Sequence, residues 1–208
     1  MDVIEEYIRP ARYVENGQEV VRPALSDAEL VNFHEIGTLE AWNSDGLRTL
    51  LHTVKVPNMV EKTLRYPGTT AYLKMLRETG FFSYDEIEVN GKNIRPIDLT
   101  ARLLFDHWKL EPGEEDFTVM RVEIEGTRKD DHEETVVYDM LDRYDSETGI
   151  TSMARTTGYT CTAIARLMLS GKINERGIVP PEYAGRSETN FKFILDELAR
   201  RGIVYKKR

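Results

Sequence analysis

Two Asn-Gly pairs, Asn16-Gly17 and Asn90-Gly91, restrict this chain more than any other feature. Each sits between segments of strand character: Tyr13 to Glu15 and Gln18 to Val21 around the first, Ile87 to Val89 and Lys92 to Ile94 around the second. Asn and Gly tolerate the positive φ that both central residues of a type I′ turn require, so each pair predicts a tight hairpin. A third strand pair is predicted between Asp116 and Asp145. Met120, Val122 and Ile124 share one face there and Arg121 and Glu123 the other, and Val136, Tyr138 and Met140 alternate in the partner. The link from Gly126 to Glu133 reads as a solvated loop, and Met59 to Tyr66 as a fourth strand ended by Pro67-Gly68.

Helices fall between and after these strands. The spacing predicts helices over 71–79, stopped by Gly80, and over 97–108, behind Pro96. A third starts at Ser152 or Thr156, carries Ile164, Leu167 and Met168, and ends before Gly171. The last has Ser187 as its cap, Phe191, Ile194, Leu195 and Leu198 at helical spacing, and Gly202 beyond its end. Hairpins interleaved with helices, with no βαβ crossovers, predict an α+β fold in which helices pack on a mixed, largely antiparallel sheet.

The 208 residues are enough for one domain, or one with a small appendage, without a metal or disulfide staple. A net charge of -8 argues against nucleic acid or an anionic membrane as partner. Cys161 is alone, the first residues lack a signal-peptide pattern, and no apolar run reaches the ~20 residues of a membrane span. These features place the protein in a reducing cytoplasm.

Standard catalytic motifs are absent. No two glycines are separated by a single residue, so a dinucleotide fingerprint cannot be present. The four histidines, His34, His52, His107 and His132, lack ligand spacing, so no metal is expected. Three polar stretches stand out instead. From Gly37 to Leu50, Ser44 or Asp45 can simply cap a short helix and Arg48 be solvated. Glu40, between Leu39 and Ala41, needs a partner in its apolar setting. From Glu61 to Gly68, Glu61, Thr63 and Arg65 share a strand face. Pattern alone favours the solvent side of a sheet, and the functional reading is a cleft wall where Arg65 clamps a carboxylate beside Tyr66. Met153 to Tyr159 reads as a loop entering a helix. Thr156 and Thr157 are first of all capping candidates there; anion binding at the helix N-terminus is the alternative.

These stretches carry a family resemblance. Gly37-Thr38-Leu39-Glu40-Ala41-Trp42-Asn43-Ser44-Asp45-Gly46-Leu47-Arg48-Thr49-Leu50, Glu61-Lys62-Thr63-Leu64-Arg65-Tyr66-Pro67-Gly68, Ser152-Met153-Ala154-Arg155-Thr156-Thr157-Gly158 and Gly177-Ile178-Val179-Pro180-Pro181-Glu182 resemble, in order, blocks of the saccharopine dehydrogenase (lysine-2-oxoglutarate reductase-like) family. The resemblance implies a two-part, homodimeric enzyme. An N-terminal Rossmann domain would bind NAD or NADP. An α+β domain similar to the C-terminal domain of glyceraldehyde-3-phosphate dehydrogenase would follow, binding substrate and mediating dimerisation. Residues 1–186 correspond to that second domain, and 187–208 to a helix and tail that pack toward the Rossmann domain. The chain begins where the Rossmann domain would end, so no cofactor site is expected in it, and alone it is expected to be inactive.

In such an enzyme, substrate carboxylates need cationic clamps, for which Arg65 comes first and Arg48 second. The reacting amine needs a carboxylate to hold its proton, for which Glu40 and Asp45 are the candidates. Asn43, Tyr66, Thr156 and Thr157 complete the expected substrate contacts. Two positions depart from the family: Thr69 stands where the block has His after Pro-Gly, and Ser44 stands where it has Thr. Related expectations are a lysine 6-dehydrogenase or carboxynorspermidine dehydrogenase, or a non-catalytic dimeric scaffold.

Overall fold

The computed structural model describes residues 2–208, with side chains from Val3 onward. The chain forms two compact units, one ending at Lys109 and the other beginning at Leu110. Residues 187–208 fall within the second unit. In place of one sheet, the described residues form four small ones in which every strand pair is antiparallel.

In the first unit, α1 (Asp2–Glu5) precedes the hairpin β1 (Ala11–Glu15) and β2 (Gln18–Arg22). A three-stranded sheet follows, β3 (Glu29–Phe33), β4 (Gly37–Asn43) and β5 (Lys62–Arg65), with the short α2 (Leu50–Thr53) between β4 and β5. Then come α3 (Thr69–Glu78), the hairpin β6 (Ile87–Val89) and β7 (Lys92–Ile94), and α4 (Pro96–Trp108). Both Asn-Gly pairs sit in the turns, with φ of 49° and 77° at Asn16 and Gly17, and 53° and 74° at Asn90 and Gly91. The predicted strand 59–66 is shorter than expected. Its first part leaves the sheet because Met59 bridges to Val14 of β1 through two backbone hydrogen bonds, 2.9 and 3.0 Å. The core gathers Ile4, Tyr7, Leu73, Phe82 and Ile97 around a fully buried Trp42.

The second unit pairs two long strands, β8 (Phe117–Thr127) and β9 (Glu133–Arg143), and adds β10 (Tyr205–Lys207) on the far side of β9. Helices α5 (Ser152–Leu169), α6 (Pro181–Gly185) and α7 (Glu188–Ala199) complete it. Met140 of β9 packs against Leu198 and Ile203, with Tyr159, Ile194 and Tyr205 around them. Ser187 caps α7, accepting from the Asn190 N–H, and β10 pairs in register with β9. Segment 187–208 thus belongs to this unit's own core. Met153 to Tyr159, expected to enter a helix as a loop, lies inside α5, because the cap is Thr151 and the Asp116 carboxylate accepts from the Ser152 and Met153 N–H groups at 2.6 and 3.0 Å. No helix among the described residues is long and apolar enough to cross a membrane.

Candidate functional site

The register of β4 and β5 joins two of the polar stretches. Glu40 lies opposite Arg65, and Trp42 opposite Thr63. Directly opposed residues share a face, so Glu40, Trp42, Thr63 and Arg65 project together. At Trp42 this face is closed core, whereas Glu61 and Thr63 are half-buried and Arg65 is exposed, so only part of the row lies on the solvent side of the sheet. The face opens only at its Glu40–Arg65 end.

Each side chain at that end is held by a neighbouring element. Glu40 Oε2 accepts from the Thr70 N–H at 2.9 Å, placing a half-buried carboxylate at the start of α3, whose N-cap Gly68 has no side chain to serve. Arg65 donates to the Leu64 carbonyl at 2.8 Å and to Glu6 Oε2 at 3.3 Å, and lies beside the Tyr7 hydroxyl. Burial pushes the Tyr7 hydroxyl pKa up, and the Arg65 guanidinium opposes that rise. With five N–H donors and a side chain 42% exposed, Arg65 keeps donors for a ligand carboxylate. Tyr66 follows it, exposed, and the Thr69 hydroxyl donates to the Tyr66 carbonyl at 2.7 Å, so the residue in the family's His position closes the turn.

The turn after β4 is more enclosed. Asn43 is buried and donates to Asp27 Oδ2 at 2.7 Å and Ser26 Oγ at 3.3 Å. It fixes a turn in which Leu25 and Asp27 both have positive φ, 61° and 48°. Expected to touch substrate, it uses its amide N–H donors on this turn, while its buried Oδ1 accepts no hydrogen bond among the described residues. Asp45 is bound by Arg12 through both carboxylate oxygens, at 2.8 and 2.9 Å, with Arg48 3.8 Å away. The hydrogen-bonded Arg12 guanidinium holds the Asp45 carboxyl below its ordinary range. An ionised, doubly bound carboxylate is a poor proton relay, so Glu40 is the better placed of the two expected carboxylates. Arg48 is mostly exposed, and among the described residues it forms an ion pair only with this carboxylate.

A pH dependence follows from the Asp45 pair. Because the folded pKa is depressed, the pair's contribution is complete above the unfolded value of about 3.9 and is lost as pH falls through the lower folded value. The stability advantage of wild type over Asp45→Asn should therefore be constant near neutrality and shrink below about pH 4. Urea denaturation of both at several pH values checks this; a constant difference down to full protonation would contradict it.

Glu61 is the residue here whose role the sequence reading did not isolate. Its Oε2 accepts from Ser44 Oγ at 2.6 Å and from the Gly46 N–H at 3.0 Å, and Ser44 Oγ also meets Thr63 Oγ1 at 2.7 Å. A Cβ on residue 46 would lie 2.4 Å from the Glu61 carboxyl carbon, so any side chain there must displace the Glu61 carboxylate. Gly46→Ala must push Glu61 off both donors, at a cost of about 1–3 kcal/mol. The expected result is a melting temperature lower by about 5 °C or more. An unchanged midpoint would mean that Glu61 swings aside freely.

The remaining expected contacts lie on the second unit. Thr156 and Thr157 occupy the second turn of α5 and not its N-terminus, which Asp116 already serves. The Thr156 hydroxyl donates back to the Ser152 carbonyl at 2.9 Å, and Thr157 is exposed. Ser152 and Arg155 are the buried members of that block, and the sequence reading passed over Arg155. It contacts Asp142, Asp145 and the Arg201 carbonyl.

The family model "Saccharopine dehydrogenase C-terminal domain" matches residues 1–203. The chain belongs to the saccharopine dehydrogenase C-terminal domain family. Among curated proteins it is 28% identical over 134 residues to saccharopine dehydrogenase [NADP(+), L-glutamate-forming] of Schizosaccharomyces pombe, an alignment covering 63% of this chain and 27% of that protein. A solved structure of histidine-tagged apo saccharopine dehydrogenase (L-Glu forming) from Saccharomyces cerevisiae shares the fold, with a TM-score of 0.75 and 18% identity over 99% of this chain and 60% of that one. The chain thus spans only part of the relatives it matches.

The β5–Gly68–α3 connection is the strand–turn–helix form that can receive a pyrophosphate, but its residues do not fit one. No second glycine lets the backbone approach, and the Thr70 N–H at the start of α3 meets the Glu40 carboxylate, which would repel phosphate. Among the described residues no three His, Cys, Asp or Glu side chains are grouped to hold a metal.

Proposed function

We propose that this chain is the substrate-binding and dimerisation portion of an NAD(P)-dependent saccharopine dehydrogenase-like enzyme, acting on the CH–NH bond of an amino-acid-derived substrate. The family membership supports the oxidoreductase class. The observation that carries the substrate reading is the Glu40–Arg65 pair at the open end of the β4–β5 face. Nicotinamide chemistry, for which one relative is named, belongs to a cofactor bound elsewhere in the complete enzyme. This chain's residues bind and orient the substrate. Arg65 takes a substrate carboxylate with its planar fork. Glu40 Oε1, which accepts no hydrogen bond among the described residues, receives the proton-bearing amine. Tyr66 forms an exposed wall beside them, and Arg48 is a second cation for a substrate with several carboxylates.

We further assign the enzyme to the cytoplasm, on its single, exposed Cys161, and to a homodimer. The sheet supports the dimer: β8 is an edge strand whose Met120, Val122 and Ile124 stay exposed on one face, an arrangement that second copies can cover. Obligate interfaces usually bury over ~2,000 Å² and survive micromolar dilution. Sedimentation of the chain at tens of micromolar should therefore show a dimer, and a species of only 24 kDa would count against it.

The activity is tested by incubating the complete enzyme with saccharopine and NAD or NADP, and following reduced nicotinamide. Saturable reduction supports the assignment. Turnover of lysine or a carboxylated polyamine, with none of saccharopine, would move the enzyme to a different substrate in the same class.

A further inference from the structure

We infer that a groove at the start of α7, on the second unit, is a binding site for a small oxyanion, a phosphate or carboxylate group. The groove encloses about 580 Å³, and Lys172, Glu175, Arg186, Thr189 and Asn190 are among its walls. Three separate features converge on it.

The first is a buried polar group in need of a partner. Asn190 is nine-tenths buried and lines the groove, yet its carboxamide forms no hydrogen bond within the described residues; only its backbone N–H is engaged, by Ser187. An amide enclosed this far, with its polar atoms open only to the groove, is satisfied by what enters the groove, and a ligand oxygen can serve it. The second is the helix end. Over 12 residues α7 presents its first N–H groups here, and those of Glu188 and Thr189 have no helical carbonyl to reach. Aligned peptide dipoles add about half a positive charge at this end.

The third is charge. Lys172, Arg186 and Glu175 are the charged residues among its walls. The Lys172 ammonium lies 5.1 Å from the Phe193 ring centroid and forms no ion pair among the described residues. The Arg186 guanidinium lies 4.1 Å from the Tyr183 centroid, so its plane is supported by the ring. Glu175 Oε2 accepts from the Asn174 N–H at 3.1 Å, which turns part of that negative charge to its own backbone. A planar cation, a flexible cation, helix N–H groups and a carboxamide N–H together suit an oxyanion with two or more oxygens.

The test is a titration of the isotopically labelled 208-residue chain, followed by amide NMR. One arm uses inorganic phosphate and the other glutarate, at constant ionic strength. The expected result is saturable movement of the Thr189 and Asn190 N–H signals in at least one arm, with the tighter arm naming the group bound. Lys172→Gln, at an exposed position that leaves folding unaffected, and Asn190→Leu should each weaken binding by roughly threefold or more. Shifts that rise linearly without saturation in both arms would overturn the site. So would saturable binding that Lys172→Gln and Asn190→Leu leave unchanged.

Discussion

Replacing Arg155 with leucine is expected to remove most of the stability of the second unit. The guanidinium is the centre of a buried network joining three elements. From α5 it donates to Asp142 of β9 at 3.2 Å, to Asp145 at 2.6 Å and to the Arg201 carbonyl beyond α7 at 2.9 Å. Its side chain is 9% exposed and that of Asp142 3%. Hydrogen bonding to Asp142 raises the guanidinium's pKa further above its ordinary value, so Arg155 stays cationic. Removing one member of a buried pair leaves the other charge desolvated and unpaired, a loss of about 3–5 kcal/mol. Domains commonly have only about 5–15 kcal/mol in total. The urea midpoint, read by circular dichroism because both tryptophans lie in the first unit, should fall by roughly 2 M. Arg155→Met combined with Asp142→Leu should recover part of that loss, since no buried charge remains. If Arg155→Leu unfolds at the wild-type midpoint, the network is not what joins these elements.

Arg65→Lys is expected to lower kcat/KM of the complete enzyme at least tenfold while leaving the melting temperature nearly unchanged. Lysine keeps the charge and removes the planar fork. A two-point guanidinium–carboxylate contact is worth about 1.5–3 kcal/mol, or roughly ten- to a hundredfold in affinity. Stability should barely move, because Arg65's ion pair is with Glu6, both side chains are over 40% exposed, and such pairs contribute about 0–1 kcal/mol. A variant that keeps its kinetics, or loses activity only by unfolding, would make Arg65 a structural residue.

The hairpins were legible because Asn-Gly imposes a local backbone requirement that distant contacts cannot change, and both occur where expected. Helices α4 and α7 were legible for a similar reason, their starts marked by Pro96 and Ser187. The break between the units was not, although Pro112-Gly113 and the acidic Glu114-Glu115-Asp116 follow it, because the stretch between α4 and β8 is too short to stand out as a linker. Polar residues on strands proved the hardest to read. Glu40, Thr63 and Arg65 alternate as a solvated face would, and only the pairing of β5 against β4 shows that Trp42 shares their side. Asp45 and Asn43 sit in the block that most resembles the family, but their partners, Arg12 and Asp27, are 33 and 16 residues away. In the Ser152–Gly158 block, Thr156 and Thr157 drew attention as helix caps. Arg155 could have been found by asking which charge in α5 falls on its apolar side: it lies in the same i+4 row as Ala163 and Leu167, about two and three turns on and both fully buried.

The most direct test of the substrate site compares two substrates in two proteins. Wild-type and Arg65→Lys complete enzymes are assayed with saccharopine and with an analogue lacking one carboxylate, the analogue being varied over each position in turn. If Arg65 holds a substrate carboxylate, the penalty for the substitution will be tenfold or more with saccharopine and will nearly vanish with the analogue missing that group, because the two changes remove the same contact. Equal penalties across saccharopine and every analogue would contradict the account, and would place the substrate's carboxylates away from Arg65.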